Sequence, residues 1–173
     1  MIHRSTFALT FATAALVAGA ALFAGQGLAQ LPGPTAAPGE TAVVTFYATG
    51  AQVYECKAGA DGKLAWAFRE PIATLLLDGK TVGRHYAGPN WDHMDGSGVT
   101  GKVAGNAPGK TSNDIPWLKL EVTAKRGNGV LSNVTTIQRI NTVGGVFSGA
   151  CDKAGVFHSA PYSTDYVFLR KGA

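Results

Sequence analysis

The chain is poor in the side chains that most catalysis and most polyanion binding require. Charged residues are 15% of its 173, and Asp and Glu together number 11. The basic residues are scattered, with Lys125-Arg126 and Arg170-Lys171 as adjacent pairs, so the stripe or patch expected of a nucleic-acid binder is missing. No serine sits in a G-x-S-x-G elbow, and no H-E-x-x-H pair is present. After the first thirty residues no segment keeps an amphipathic helical period for several turns, which argues against a helical bundle. No internal repeat of solenoid or propeller type is visible.

What is abundant comes first in the chain. His3 and Arg4 precede an apolar run over residues 7–23, and Gly27-Leu28-Ala29 puts small residues where a signal peptidase cuts. The pattern predicts a signal peptide over residues 1–29, cleaved after Ala29. A retained anchor is the rival reading, because the run approaches the roughly 20 residues that span a bilayer. No Cys follows the run to carry a lipid, and Arg4 has no twin. The expected location is therefore periplasmic or extracellular, with no membrane span left after cleavage. Cleavage would leave roughly 144 residues, the size of one domain. The formal charge would fall from +4 to +3, since Arg4 leaves and every acid stays.

Both cysteines, Cys56 and Cys151, lie in the exported part, where disulfides persist. Pairing is the simplest outcome; two buried free thiols are the alternative. A two-cysteine zinc site fits less well, because structural zinc takes four ligands at tight spacings. Residues 30–39 are rich in Pro and Gly and read as an extended or mobile linker. A single domain over residues 40–173 follows.

Within it the pattern is strand after strand. Residues 41–48, 51–56, 63–69, 73–77, 81–86, 115–124, 130–140 and 162–170 are short and rich in β-branched or aromatic residues. Asp78-Gly79 suits a tight type I′ turn. Leu64, Trp66 and Phe68 alternate with more polar neighbours, and Leu118, Leu120 and Val122 do the same. The expected fold is all-β: an antiparallel β-sandwich or flattened barrel of roughly eight to ten strands with one disulfide. Placing Leu118 and Leu120 inward throws Trp117 outward, a stacking platform unless something covers it.

One segment concentrates polar and aromatic groups: His85, Tyr86, Trp91, Asp92, His93 and Asp95, between turn-forming Gly88-Pro89 and Gly96-Ser97. It reads as a functional loop. His85 and His93 are eight apart across Gly88-Pro89, not four apart on a helix, so a zinc site would need His158 from a distant strand. Asp95-Gly96-Ser97 reads as a turn, not a calcium loop. The glycine-rich pieces Gly127-Asn128-Gly129 and Gly144-Gly145 precede strands, so they lack the helix start that cradles phosphate. No metal site and no cofactor are implied.

Several ordered motifs carry a family resemblance. These are Gly50-x-Gln52-x-Tyr54-x-Cys56, Trp66, Pro71-x-Ala73-x-Leu75, Gly83-x-His85-Tyr86-Ala87-Gly88-Pro89-x-Trp91 and Asp95-Gly96-Ser97 in the first half. Ile115-Pro116-Trp117-Leu118, Ile137-Gln138-Arg139-x-Asn141-Thr142-x-Gly144-Gly145, Cys151 and Asp165-Tyr166-x-Phe168 follow. Over about residues 40–170 the chain resembles a secreted bacterial and fungal domain-of-unknown-function family, numbered 3455. The resemblance implies an exported, mostly β domain with two characteristic cysteines and no established activity. Two readings follow. The first is a non-catalytic binding or envelope-associated module, recognising a small molecule, glycan or envelope component through Tyr86, Trp91, Asp92 and Trp117. The second is an exported enzyme, metal-assisted or acid-base, using His85, His93, His158 and Asp95.

Overall fold

A computed structural model describes residue 31 and residues 33–172. The expected signal segment lies outside them. Eight antiparallel strands form one sheet in simple sequence order: β1 (Glu40–Ala58), β2 (Leu64–Leu77), β3 (Lys80–Tyr86), β4 (Asn90–His93), β5 (Gly98–Ala107), β6 (Trp117–Arg126), β7 (Thr136–Gly144) and β8 (Phe157–Lys171). The sheet closes on itself, because β8 pairs back along β1 from Glu40↔Lys171 to Glu55↔Phe157. Of the two architectures expected, the barrel is therefore the one formed. Cys56 and Cys151 are bridged, with Cα atoms 6.0 Å apart.

Two expected breaks are absent. Residues 41–48 and 51–56 form one strand, which passes through Gly50 where β1 presses on β2. A Cβ at Gly50 would lie 2.0 Å from the Ile72 carbonyl oxygen, so only glycine fits. Residues 63–69 and 73–77 likewise join through Pro71, since β2 pairs with β3 only from Ala73 onward. Above that point β2 is an edge, where a missing N–H breaks no second ladder. The Asp78-Gly79 turn forms as expected, both residues having positive φ (50° and 74°).

The long β1–β2 hairpin and the start of β8 thus rise past the β3–β4 turn as a tall wall. Here the alternation rule misleads. Phe68, expected inside, is 54% exposed, because no strand stands opposite it at that height. Trp66 is half-buried against Phe147 of the β7–β8 connection and His158 of β8.

The opposite end of the barrel is plugged. Residues 130–135, expected as strand, leave the ladder and cross the opening, and Leu131 and Val134 are fully buried beside Phe46 and Phe168 in the core. The stretch expected to be an extended linker also packs on the barrel. Gly33–Thr35 forms a short 3-10 turn, Thr35 is buried, and Gln138 Nε2 and Lys119 Nζ donate to the carbonyls of Thr35 and Ala36.

Candidate functional site

The segment that looked like one reactive loop is a β-hairpin, and its alternation deals its side chains to three places. Tyr86 and Asp92 face outward. Asp92 pairs with Arg84 at 3.0 Å and with Arg126, Tyr86 donates its hydroxyl to Asp92 Oδ1, and Arg84 lies over the Tyr86 ring. This is an ion cluster on the outer surface across β3, β4 and β6, of the kind worth little to stability.

His93, Asp95 and Ser97 sit at the plugged end. Asp95 accepts from Ser97 Oγ and N (2.6 and 2.8 Å) and from Val130 N (2.7 Å), while Ser97 Oγ accepts from Leu131 N. His93 approaches Asp95 at 3.0 Å and stacks on Phe46. The Ser97 hydroxyl, followed by the Val130 amide, holds the Asp95 carboxyl well below the usual carboxylate range. These residues fasten the plug.

His85 and Trp91 point into the barrel. They are directly opposed cross-strand partners, so their rings stack at 4.4 Å, nearly parallel. Trp91 is 1% exposed and lies edge-on to Tyr166 and Phe168. Gly101 makes room for it, since a Cβ there would come within 3.2 Å of the indole. Trp117, by contrast, is half-buried on the outer face, next to the covered Lys119 position. It shares no site with Trp91.

Above His85 and Trp91 the barrel opens into a cup of about 410 Å³. Its wall and mouth come from Phe68, Pro71, Val103, Ile115, Pro116 and Leu118, with the Ala87-Gly88-Pro89 turn on the low side. Polar groups are few: Gln52, Tyr54, Arg69, His85, Arg139 and Tyr166, with no Asp or Glu. Tyr54 is committed, donating to the Gly145 carbonyl. Trp91 Nε1 and Gln52 Nε2 are out of water without a hydrogen-bond partner, although the Gln52 amide lies beside the Tyr162 hydroxyl. A buried donor left in this way costs about 1–3 kcal/mol. Arg139 donates Nε and Nη2 to the Pro116 carbonyl (3.1 and 2.8 Å) and approaches Tyr166. Burial pushes the Tyr166 hydroxyl well above its ordinary pKa, so it keeps its proton.

His85 is a neutral ring held in one tautomer. Its Nδ1 lies 2.8 Å from the Asn90 carbonyl, which can only accept, so Nδ1 carries the proton and Nε2 the lone pair. Burial, with a smaller repulsion from Arg139, lowers its pKa from 6.5 to about 3. The unfolded chain therefore takes up a proton between pH 6.5 and 3 that the folded chain refuses. The stabilisation is complete above pH 6.5 and is lost as pH falls. Between pH 7 and 4.5 this one group is expected to remove about 2–3 kcal/mol of unfolding free energy. Urea titrations at the two pH values measure it, and His85→Gln should flatten the slope. An unchanged slope in that variant would assign the effect to another group.

His85, His93 and His158 do not meet. The first lines the cup, the second is at the plug, and His158 stacks at 3.7 Å on Phe147 of the β7–β8 connection. Among the described residues no three His, Cys, Asp or Glu side chains are placed to share a metal. Convergence of the three histidines with Asp95, on which the enzyme reading depended, is thus not what the fold produces.

Gln52, Arg139 and Tyr166 had not stood out as site residues. A polar residue at an inward strand position was the available signal for the first two. Yet Gln52, Tyr54, His85, Trp91, Arg139 and Tyr166, all of which line the cup, are among the residues that carried the family resemblance.

Fold and site together define an eight-stranded up-and-down barrel, plugged at one end and cupped at the other, clamped by a disulfide. A family model described as "Protein of unknown function (DUF3455)" matches residues 36–170, and the chain belongs to that family. No curated protein and no solved structure matches it. Among the described residues no helix is long and apolar enough to cross a membrane.

Proposed function

We propose that this protein is an exported, non-catalytic module that binds one small, largely apolar molecule inside its barrel. The observation that carries the reading is the cup. Eight-stranded barrels have an interior just wide enough to be filled by side chains or to hold one small ligand. Here the lower half is filled and the upper half is a cavity of about 410 Å³, within the usual range for ligand sites. Mostly carbon walls with a few converging polar groups are the common composition of such sites. The buried disulfide-forming half-cystine Cys56 and the signal-like first 29 residues support export. Glycan recognition is the weaker version of the module, because sugars stack on presented rings. Trp91 presents none of its face to solvent, and Trp117 presents little.

The uncharged fluorophore N-phenyl-1-naphthylamine tests the cup without presuming a charge. Its emission should rise saturably, with one site per chain. Val103→Trp, at a half-exposed position on the mouth, should weaken binding tenfold or more while leaving thermal stability within a few degrees. A non-saturable rise, or full binding by Val103→Trp, would count against the cup as the site.

A further inference from the structure

The polar groups of the cup are unbalanced. Two cations line it, Arg69 and Arg139, and they differ in what neutralises them. Arg69, at the rim, is paired with Glu55 and Glu70 and lies over Phe157. Arg139 has no carboxylate within pairing distance among the described residues, and its two bonds to the Pro116 carbonyl leave part of its five-donor fork unused. It is partly buried, and near enough to His85, Tyr162 and Tyr166 to act on all three. Trp91, 1% exposed, carries an N–H without a partner, while the Gln52 amide lies beside the Tyr162 hydroxyl. At Arg139 the cup therefore offers one unneutralised positive charge, and no acid. The mouth is the reverse: Phe68 and Val103 are apolar and exposed.

We infer that the occupant of the cup is an amphiphile with an anionic head, a carboxylate in the first instance, bound with that head on Arg139 and its apolar tail against Phe68 and Val103. The inference rests on the small-molecule reading above and adds the ligand's charge and direction. A carboxylate matches the planar guanidinium fork. A cationic head would face Arg139 with no acid to shield it.

The test displaces N-phenyl-1-naphthylamine from the purified mature protein with decanoate and, separately, with decanol. Decanoate is expected to compete at least tenfold more strongly. Arg139→Gln should bring decanoate down to the level of decanol, both read relative to the variant's own fluorophore affinity, and Arg139→Lys, which keeps the charge, should restore part of the difference. Retained fluorophore binding also shows that each variant is folded. Equal competition by acid and alcohol would overturn the inference and leave the cup reading standing. A decanoate preference that survives Arg139→Gln would overturn the role of Arg139. No saturable fluorophore binding by the parent protein would overturn the cup reading and this inference with it.

Discussion

Replacing Cys56 and Cys151 together by serine is expected to cost about 2–5 kcal/mol of unfolding free energy while leaving the β-sheet circular dichroism native under mild conditions. The bridge spans 95 positions of sequence, so in the chain-entropy picture it removes much of the freedom of the unfolded chain. The folded barrel does not depend on it for closure, because the β1–β8 ladder runs nearly the full length of both strands. What the bridge holds locally is the β7–β8 connection against the tall wall. That connection is also tied by Trp66 N to Gly149 O (3.0 Å), Cys56 N to Val156 O (2.9 Å) and Gly155 N to Cys56 O (2.9 Å). A guanidinium titration of parent and double variant gives the number. Loss of the native spectrum without denaturant would mean that the bridge, and not the ladder, closes the barrel. Intact mass of the protein from its own host reads two further points, a bridge two hydrogens lighter than the thiols and a chain starting at Gln30.

Trp91→Ala is expected to be the most damaging single substitution, at about 3–5 kcal/mol. Trp91 is the largest of the fully buried side chains and forms the boundary between the packed half of the barrel and the cup. Its removal takes away the stack on His85 and the edge contacts with Tyr166 and Phe168, and the strands around it cannot collapse into the gap. It also admits water to His85, so the His85 pKa should move back toward 6.5 and the acid sensitivity should shrink. The two changes are coupled, and Trp91→Ala with His85→Gln should cost less than the sum of the singles. Urea unfolding followed by circular dichroism at pH 7 and 4.5 measures all four proteins. A loss under 1 kcal/mol for Trp91→Ala would mean that the ring is not the floor described.

The elements most legible in the sequence were those where chemistry is local. Asp78-Gly79 forms its turn because that pair tolerates positive φ, whatever surrounds it. Leu118 and Leu120 face inward because side chains on a strand alternate and β6 has walls on both sides. β4 and β5 were missed. The first is four residues long, and the second carries Gly98, Gly101 and Gly105 where strand formers would be sought. The glycine at 101 serves the bulk of Trp91, a neighbour that only pairing reveals. Phe68 went wrong for the complementary reason, since alternation says which side a residue faces and not whether anything stands opposite.

The same division applies to the protein as a whole. Its sequence by itself determined the all-β class, the cysteine pair and the family, because composition, short-range periodicity and ordered motifs need no knowledge of distant partners. Only the tertiary structure decided that the sheet closes, that one end is plugged, and that the His85-to-Ser97 groups part company. Pairing Arg84 with Asp92 and His85 with Trp91 sends adjacent residues to opposite faces of one sheet. Closing that sheet turns those faces into an outside and an inside, and brings Arg139 and Gln52, 87 positions apart, into the cup with His85.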